Sequence, residues 1–243
     1  MPTTESRRDR QRAATEAEIK DVARRQLVAS DGTELSLRGI AREMGMTAPG
    51  LYRYFENLGT LAEALCHDFL DEVHAEIAAA VDAAGEDIAA RMHTAVRTFR
   101  DWAVGHPAEF GLLFRSKAPG PVAFAGQVQP EWDECTHSQA FARVFLDLFQ
   151  EMWVTAPFPL PDDAHVGADV IAQLGNLRSM LTVPMPDAAA WVFAHAWVRL
   201  YSVIALEVLG QLGFMFGDVE PYFEAELHSV AHTLGLEYVP RER

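Results

Sequence analysis

Apolar residues return every three or four positions along most of this chain of 243 residues, the spacing of a helix that buries one face. Leu37, Ile40 and Ala41 make such a face just after Ser36. Leu61, Leu65, Phe69 and Val73 run in steps of four along a long helix opening near 57, and Met92, Val96, Phe99 and Trp102 share one side of 87–105. Further helices are expected over 108–115, over 136–153 (Phe141, Phe145, Phe149, Met152), through Ile171, Leu174, Leu177 and Leu181, and over 187–210 and 218–236. Proline and glycine punctuate them, at His106-Pro107, across Pro119, Gly120, Pro121, Gly126 and Pro130, and at Pro157, Pro159 and Pro161. Strand-like alternation never lasts more than a few residues. The expected fold class is all-α.

The densest signal lies in SLRGIAREMGMTAPGLYRYF, residues 36–55. Ser36 can cap one short helix, Gly45 can take the positive φ of a reversal, and Thr47 can cap a second helix with Pro49 in its first turn. Leu51 and Phe55, four apart, point back at the apolar face of the first helix. Thr47, Ala48, Gly50, Tyr52 and Arg53 are left to face outward. Short side chains early and polar aromatics later suit a helix whose N-terminal half enters a DNA groove while its flanks meet phosphates.

In this order of residues the chain resembles the tetracycline-repressor (TetR) family of bacterial transcription regulators. The likeness covers roughly the first sixty residues: Ser36, Ile40-Ala41 and Gly45, then the run from Thr47 to Phe55, then Asn57 opening a fourth helix. It implies a three-helix head (13–56) with a helix-turn-helix, and a helical bundle (57–243) that binds ligand and dimerises. The DNA contacts it implies are Ser36, Arg38, Thr47, Ala48, Pro49, Gly50, Tyr52, Arg53 and Tyr54. Two positions depart from the pattern: the family usually has an acidic residue at Gly39 and a phosphate-gripping lysine at Leu58. The region 188–226 resembles the C-terminal part of a large subgroup whose last two long helices form a four-helix dimer interface. The row Trp197, Ile204, Val208 and Leu212 is consistent with such a partner face. That subgroup often carries His-Gly where this chain reads Tyr201-Ser202.

Net charge of -15 argues at first against a nucleic-acid partner. Its distribution does not. Up to Thr60 ten basic residues face nine acidic ones, and the remainder holds ten against 26, so the head is near neutral and the body strongly acidic. The stretch SRRDRQR places a flexible basic arm, or a solubilising tail, at 1–12. Cys66 and Cys135 form no CxxC pair, which fits reduced thiols and a cytoplasmic location. No signal peptide is apparent. The most apolar stretch, 191–216, is interrupted by Arg199 and Glu207, so no membrane partner is expected.

Thirteen of fourteen phenylalanines and all five tryptophans follow Phe55, on faces that must converge if the helices bundle. Candidates for lining a ligand pocket are Phe99, Trp102, Phe110, Phe114, Phe145, Phe149, Met152 and Trp153. Ordinary core packing is the alternative for each; His106, Arg115 and Gln173 are the polar candidates, with His195 a further one, and a buried histidine satisfied by a backbone carbonyl is the alternative there. Glu63, His67, Asp71 and His74 share one side of a helix and could bind a divalent metal, but the matching ligands a metal bundle needs from other helices are missing. His228 and His232 beside Glu224, and Asp162-Asp163, carry no more. No cofactor, metal or catalytic motif is expected. The function these readings favour is a homodimeric regulator that binds double-stranded operator DNA, most simply a repressor released by a small, largely apolar effector. The alternative is an all-α metal-dependent enzyme or ligand carrier with a purely structural N-terminal hairpin.

Overall fold

The computed structural model describes residues 6–32, 35–115, 136–161 and 166–241; the side chains of Phe114, Arg115, Thr136, Ser138 and Gln139 also lie outside the described set. Among the described residues every regular element is helical. The helices are α1 (Arg7–Ala29), α2 (Leu37–Glu43), α3 (Ala48–Leu51), α4 (Leu58–Ala83), α5 (Ile88–Gly105), α6 (Pro107–Arg115) and α7 (Thr136–Thr155), then α8 (Ala168–Ala172), α9 (Gly175–Met180), α10 (Asp187–Val208) and α11 (Glu220–Thr233). They form two compact units, one of Met1–Glu72 with His106–Ser138, the other of Val73–Gly105 with Gln139–Arg243. The boundary expected at 56/57 therefore falls inside the first unit.

Local chemistry sets most of the ends. Ser6 and Asp9 form a reciprocal capping box: the Ser6 hydroxyl accepts from the Asp9 amide at 3.2 Å, and the Asp9 carboxylate accepts from the Ser6 amide at 3.3 Å. Residues 7–12, expected in a flexible arm, are consequently the opening turns of α1. Asn57 and Thr60 exchange the same pair of bonds at the start of α4, at 3.0 and 3.3 Å. The single helix expected through Ile171 and Leu181 is instead α8 and α9, with a turn at Gln173 and Leu174 between them. Gly175, the poorest helix former there after proline, opens the second piece.

In the first unit, Ile19, Val22, Ala23 and Leu27 of α1 are buried, as are Ile40, Leu51 and Leu61. Arg24 ties α1 to α4 and α6: its guanidinium forks onto both Glu72 oxygens at 2.6 and 3.0 Å, reaches buried Glu109 at 2.9 Å, and lies over the Phe69 ring. Hydrogen bonds to Glu72 lead the causes that raise its pKa further, so this charge is fixed.

The second unit is pinned by two forked, largely buried pairs on α5. Arg97 reaches Glu224 of α11 at 2.8 and 2.6 Å, and Arg100 reaches Glu207 of α10 at 2.8 and 2.6 Å. Gln150 supplies a third tie, its Oε1 accepting from the amides of Thr182 and Val183 at 2.7 and 3.0 Å. α10 is by length and composition apolar enough to cross a membrane. Its charges are nonetheless paired within the unit, Glu207 with Arg100 and Arg199 with Glu226, and Val192, Leu200, Val203 and Ile204 are buried, the pattern of a core helix.

Candidate functional site

The head is built by packing and caps that the sequence supplies locally. Leu37, Ile40 and Ala41 of α2 are buried, and the helix ends in a Schellman motif: the Met46 amide donates to Ala41 and the Gly45 amide to Arg42, at 2.8 and 3.2 Å, with Gly45 at φ +64°. The Ser36 hydroxyl accepts from the Gly39 amide and the Thr47 hydroxyl from the Gly50 amide, each at 3.3 Å. Leu51 and Phe55 are buried, which fixes the face that α3 turns outward. Ser36, Arg38, Thr47, Pro49, Tyr52 and Arg53 are exposed, and Ala48, Gly50 and Tyr54 half-buried. A Cβ at Gly39 would come 3.2 Å from the Gln26 amide oxygen, and Gln26 itself donates to Glu43 at 3.1 Å. A side chain at this position, where the family pattern has an acidic residue, would have to push the Gln26 amide aside by a few tenths of an ångström.

Arg12 of α1 joins this surface. Its Nη2 donates to the Arg53 carbonyl at 3.3 Å and its guanidinium lies over the Tyr54 ring. Arg7, Arg8, Arg12 and Arg53, with Asp9, Gln11 and Tyr54, wall an open, polar groove. Four cationic side chains around one exposed groove can meet phosphates without any ligand from the acidic body. Arg7, Arg8 and Arg12 stand outside the DNA-contacting set that the sequence implies, because charge alone assigns them to an arm. The signal that finds them is their spacing on a capped helix, with Arg12 four and five residues after Arg8 and Arg7.

The second unit holds a cavity of about 70 Å³ (water-accessible space) enclosed by α5, α7, α10 and α11. Phe99, Phe145 and Phe149, three of the ligand-pocket candidates, line it. Trp197 and Ile204, expected on a partner face, line it too. Phe99 stacks on Tyr201, and Trp197 packs edge-on to Phe145 with ring centroids 5.2 Å apart.

The other pocket candidates are elsewhere. Trp102 and Met152 are buried as core, because the α5 stripe facing the cavity (Met92, His93, Val96, Phe99) ends one turn before Trp102. Phe110 is core of the first unit, and His106 lies there too, its Nε2 3.8 Å from Glu72. Trp153 packs edge-on to Phe158. Gln173 is exposed at the C-terminal cap of α8, since the helix meant to carry it inward is broken. The Phe114 and Arg115 side chains lie outside the described residues. His195 is exposed and stacks on Trp191.

The expected dimer row needs the same correction. Ile204 and Leu212 are buried within the chain itself and Val208 is half-buried, so these residues form no exposed stripe. α10 is apolar on most of its circumference, and the large apolar side chains left exposed are Val198 and Leu206 on the helix and Leu209 at its C-terminal cap, followed in sequence by exposed Phe214 and Met215.

The helical quartet Glu63, His67, Asp71 and His74 does not converge on a point. His67 stacks on His137 at 4.4 Å, and Asp71 bonds the His137 Nδ1 at 2.6 Å. Burial, then the His137 charge, holds the His67 pKa below its usual value. No group of three or more His, Cys, Asp or Glu side chains suited to a metal ion occurs among the described residues.

Comparison with known proteins gives this geometry a lineage. Residues 92–230 match the family described as tetracyclin repressor-like, C-terminal domain. The chain is 30% identical over 229 residues to HTH-type transcriptional regulator Rv1816 of Mycobacterium tuberculosis and to Mb1846 of Mycobacterium bovis, covering 92% of this chain and 93% of each relative. The crystal structure of SCO4313, described as a regulatory protein, is 30% identical with a TM-score of 0.67, over 93% of this chain and all of that one. A Rhodococcus sp. RHA1 protein with unknown function shares the fold at a TM-score of 0.57 and 17% identity, over 91% of this chain and 94% of its own. The relatives named are transcriptional regulators rather than enzymes. With a capped helix-turn-helix ahead of a helical domain, and likeness extending over nearly the whole chain, the protein belongs to the TetR family of DNA-binding, helix-turn-helix transcriptional regulators.

Proposed function

We propose that this regulator acts in the cytoplasm as a homodimeric repressor that leaves its operator when a small, largely apolar effector enters the α5–α7–α10–α11 cavity. The observation that carries the proposal is the pairing, in one chain, of an exposed basic recognition surface with an apolar cavity in a separate compact unit. Tyr52, Arg53 and the segment Thr47 to Gly50 read the major groove, while Ser36, Arg38, Tyr54, Arg7 and Arg8 hold phosphates and Arg12 braces the end of the recognition segment. Two heads must present their α3 helices about 34–36 Å apart, or a multiple of that, to read successive grooves on one face of DNA. An effector releases the operator only if it binds better to a conformer with a different spacing, and operator DNA then weakens effector binding by the same factor.

The cavity is small beside the ~300–1,000 Å³ of typical ligand sites, so effector entry must displace side chains; Met92, unbranched and adaptable, is the readiest to move. The dimer face proposed is Val198, Leu206, Leu209, Phe214 and Met215, because so many large apolar side chains exposed on neighbouring turns call for cover.

The test is fluorescence anisotropy against DNA from upstream of the protein's own gene, at several salt concentrations. Binding about a thousandfold tighter than to random DNA is expected. Equal affinity for both would overturn the reading as an operator-specific regulator.

A further inference from the structure

The cavity wall is almost entirely carbon. Met92, Val96, Phe145, Ile204, Leu227 and Val230 typify it, and no Lys, Arg, Asp or Glu lines it. With Tyr201 and Trp197 of α10, His93 of α5 is a polar exception. It is 1% exposed, and its Nδ1 sits 2.5 Å from the carbonyl oxygen of Ala89, one turn earlier. A carbonyl only accepts, so Nδ1 carries the proton and Nε2 is left as a lone-pair acceptor. Nε2 is the one buried side-chain nitrogen or oxygen without a hydrogen-bond partner among the described residues.

The neighbours do not satisfy it. Tyr238 packs edge-on against the His93 ring at 5.5 Å, yet its hydroxyl donates to Glu224 at 2.7 Å. Glu224 in turn is engaged by the Arg97 fork. Burial first, and the Arg97 charge as well, hold the imidazole pKa below its usual value, which keeps the ring neutral and Nε2 an acceptor. Tyr201, also in the wall, is kept protonated because burial pushes its pKa up. A buried acceptor left unmade is costly, and no side chain around the cavity makes this one.

We propose that the effector is an uncharged hydrophobe bearing an O–H or N–H donor that His93 Nε2 accepts, so that the cavity selects an alcohol or phenol over the ether or carboxylate of the same skeleton. This rests on the reading of the cavity as the effector site. A carboxylate would meet a lone pair and no cation, and would lose its water for nothing. An ether would fill the space equally but leave Nε2 unpartnered.

The experiment uses the full chain and three probes of one skeleton: 4-propylphenol, 4-propylanisole and 4-propylbenzoate, titrated by calorimetry at pH 8. The phenol is expected to bind about tenfold or more tighter than the ether, and the benzoate not measurably. His93→Phe should erase the phenol–ether difference, and His93→Gln, which keeps an acceptor, should retain part of it. Equal binding of phenol and ether to the wild type overturns the donor assignment while leaving the cavity as an effector site. Binding of none of the three overturns the effector reading itself. Should His93→Phe fail to fold, the wild-type phenol–ether ratio decides alone.

Discussion

The Arg12 guanidinium lies 5.7 Å from the centre of the Tyr54 ring, where it also reaches the carbonyl of Arg53. One side chain from α1 therefore holds the end of the recognition segment, where backbone carbonyls lack partners of their own. Arg12→Ala is expected to lower operator affinity severalfold with an unchanged salt slope, because the residue acts on the protein rather than on a phosphate. Arg12→Lys should recover little, since an ammonium cannot both stack and fork. A salt slope shallower by nearly one unit would instead make Arg12 a direct phosphate ligand.

Tyr52, 49% exposed, and exposed Arg53 have no role in the core. Replacing both with alanine should abolish operator-specific binding and leave the melting temperature nearly unchanged. Anisotropy on operator and on random DNA separates their parts: losing a phosphate contact weakens both, losing a base contact narrows the gap between them.

The head is legible in the sequence because its determinants are local. Ser36, Gly45, Thr47 and Pro49 each dictate backbone within a turn of themselves, and Leu51 and Phe55 announce the inward face by their spacing. The cavity is only partly so. Periodicity finds the inward stripe of α5, but it cannot say that space opens beside Phe99 and closes at Trp102, which depends on side chains from α7, α10 and α11. α10 misleads for a related reason: with apolar residues nearly all round, Ile204 and Leu206 look alike in sequence, although one is buried and the other exposed. For residues 7–12, charge alone points to an arm, whereas the Ser6–Asp9 capping box, equally visible in the sequence, makes them helix.

Leu58 opens α4 and is 39% exposed, so lysine can be accommodated there without emptying the core. Leu58→Lys should tighten DNA binding and steepen the log-log salt dependence by about 0.9 if the new ammonium neutralises one phosphate. A cation at a helix N-terminus is slightly unfavourable, so the melting temperature should fall by roughly a degree or two at most. An unchanged slope would mean that position 58 does not meet the backbone of DNA.

Acid should weaken the second unit through His93. Burial depresses its folded-state pKa, whereas the unfolded chain takes up the proton near pH 6.5. Below that pH the unfolded state binds the extra proton, so stability is full above about 6.5 and falls as pH drops towards the folded pKa, by at most about 1.4 kcal/mol per pH unit for one site. His67, also depressed by burial, acts in the same direction in the first unit. His93→Gln should lose less than the wild type between pH 7.5 and 5.5, measured by urea midpoints. Parallel curves would show that His93 titrates normally.

The dimer prediction follows from burial within the chain. Ile204→Glu would bury a carboxylate in the core and unfold the unit, so it cannot test association. Phe214, 84% exposed, can. If Phe214 with Leu206, Leu209 and Met215 forms the face shared by two copies, Phe214→Glu places paired like charges in a dry interface and costs the subunit itself little. Sedimentation at micromolar concentration should show a wild-type dimer and a folded, monomeric variant with the same melting profile after correction for concentration. Operator affinity should drop together with the dimer, because a single near-neutral head makes too few phosphate contacts to hold one half-site. A variant that stays dimeric with full operator affinity would move the interface away from Phe214, and a monomeric wild type would remove the two-head geometry on which operator recognition is built.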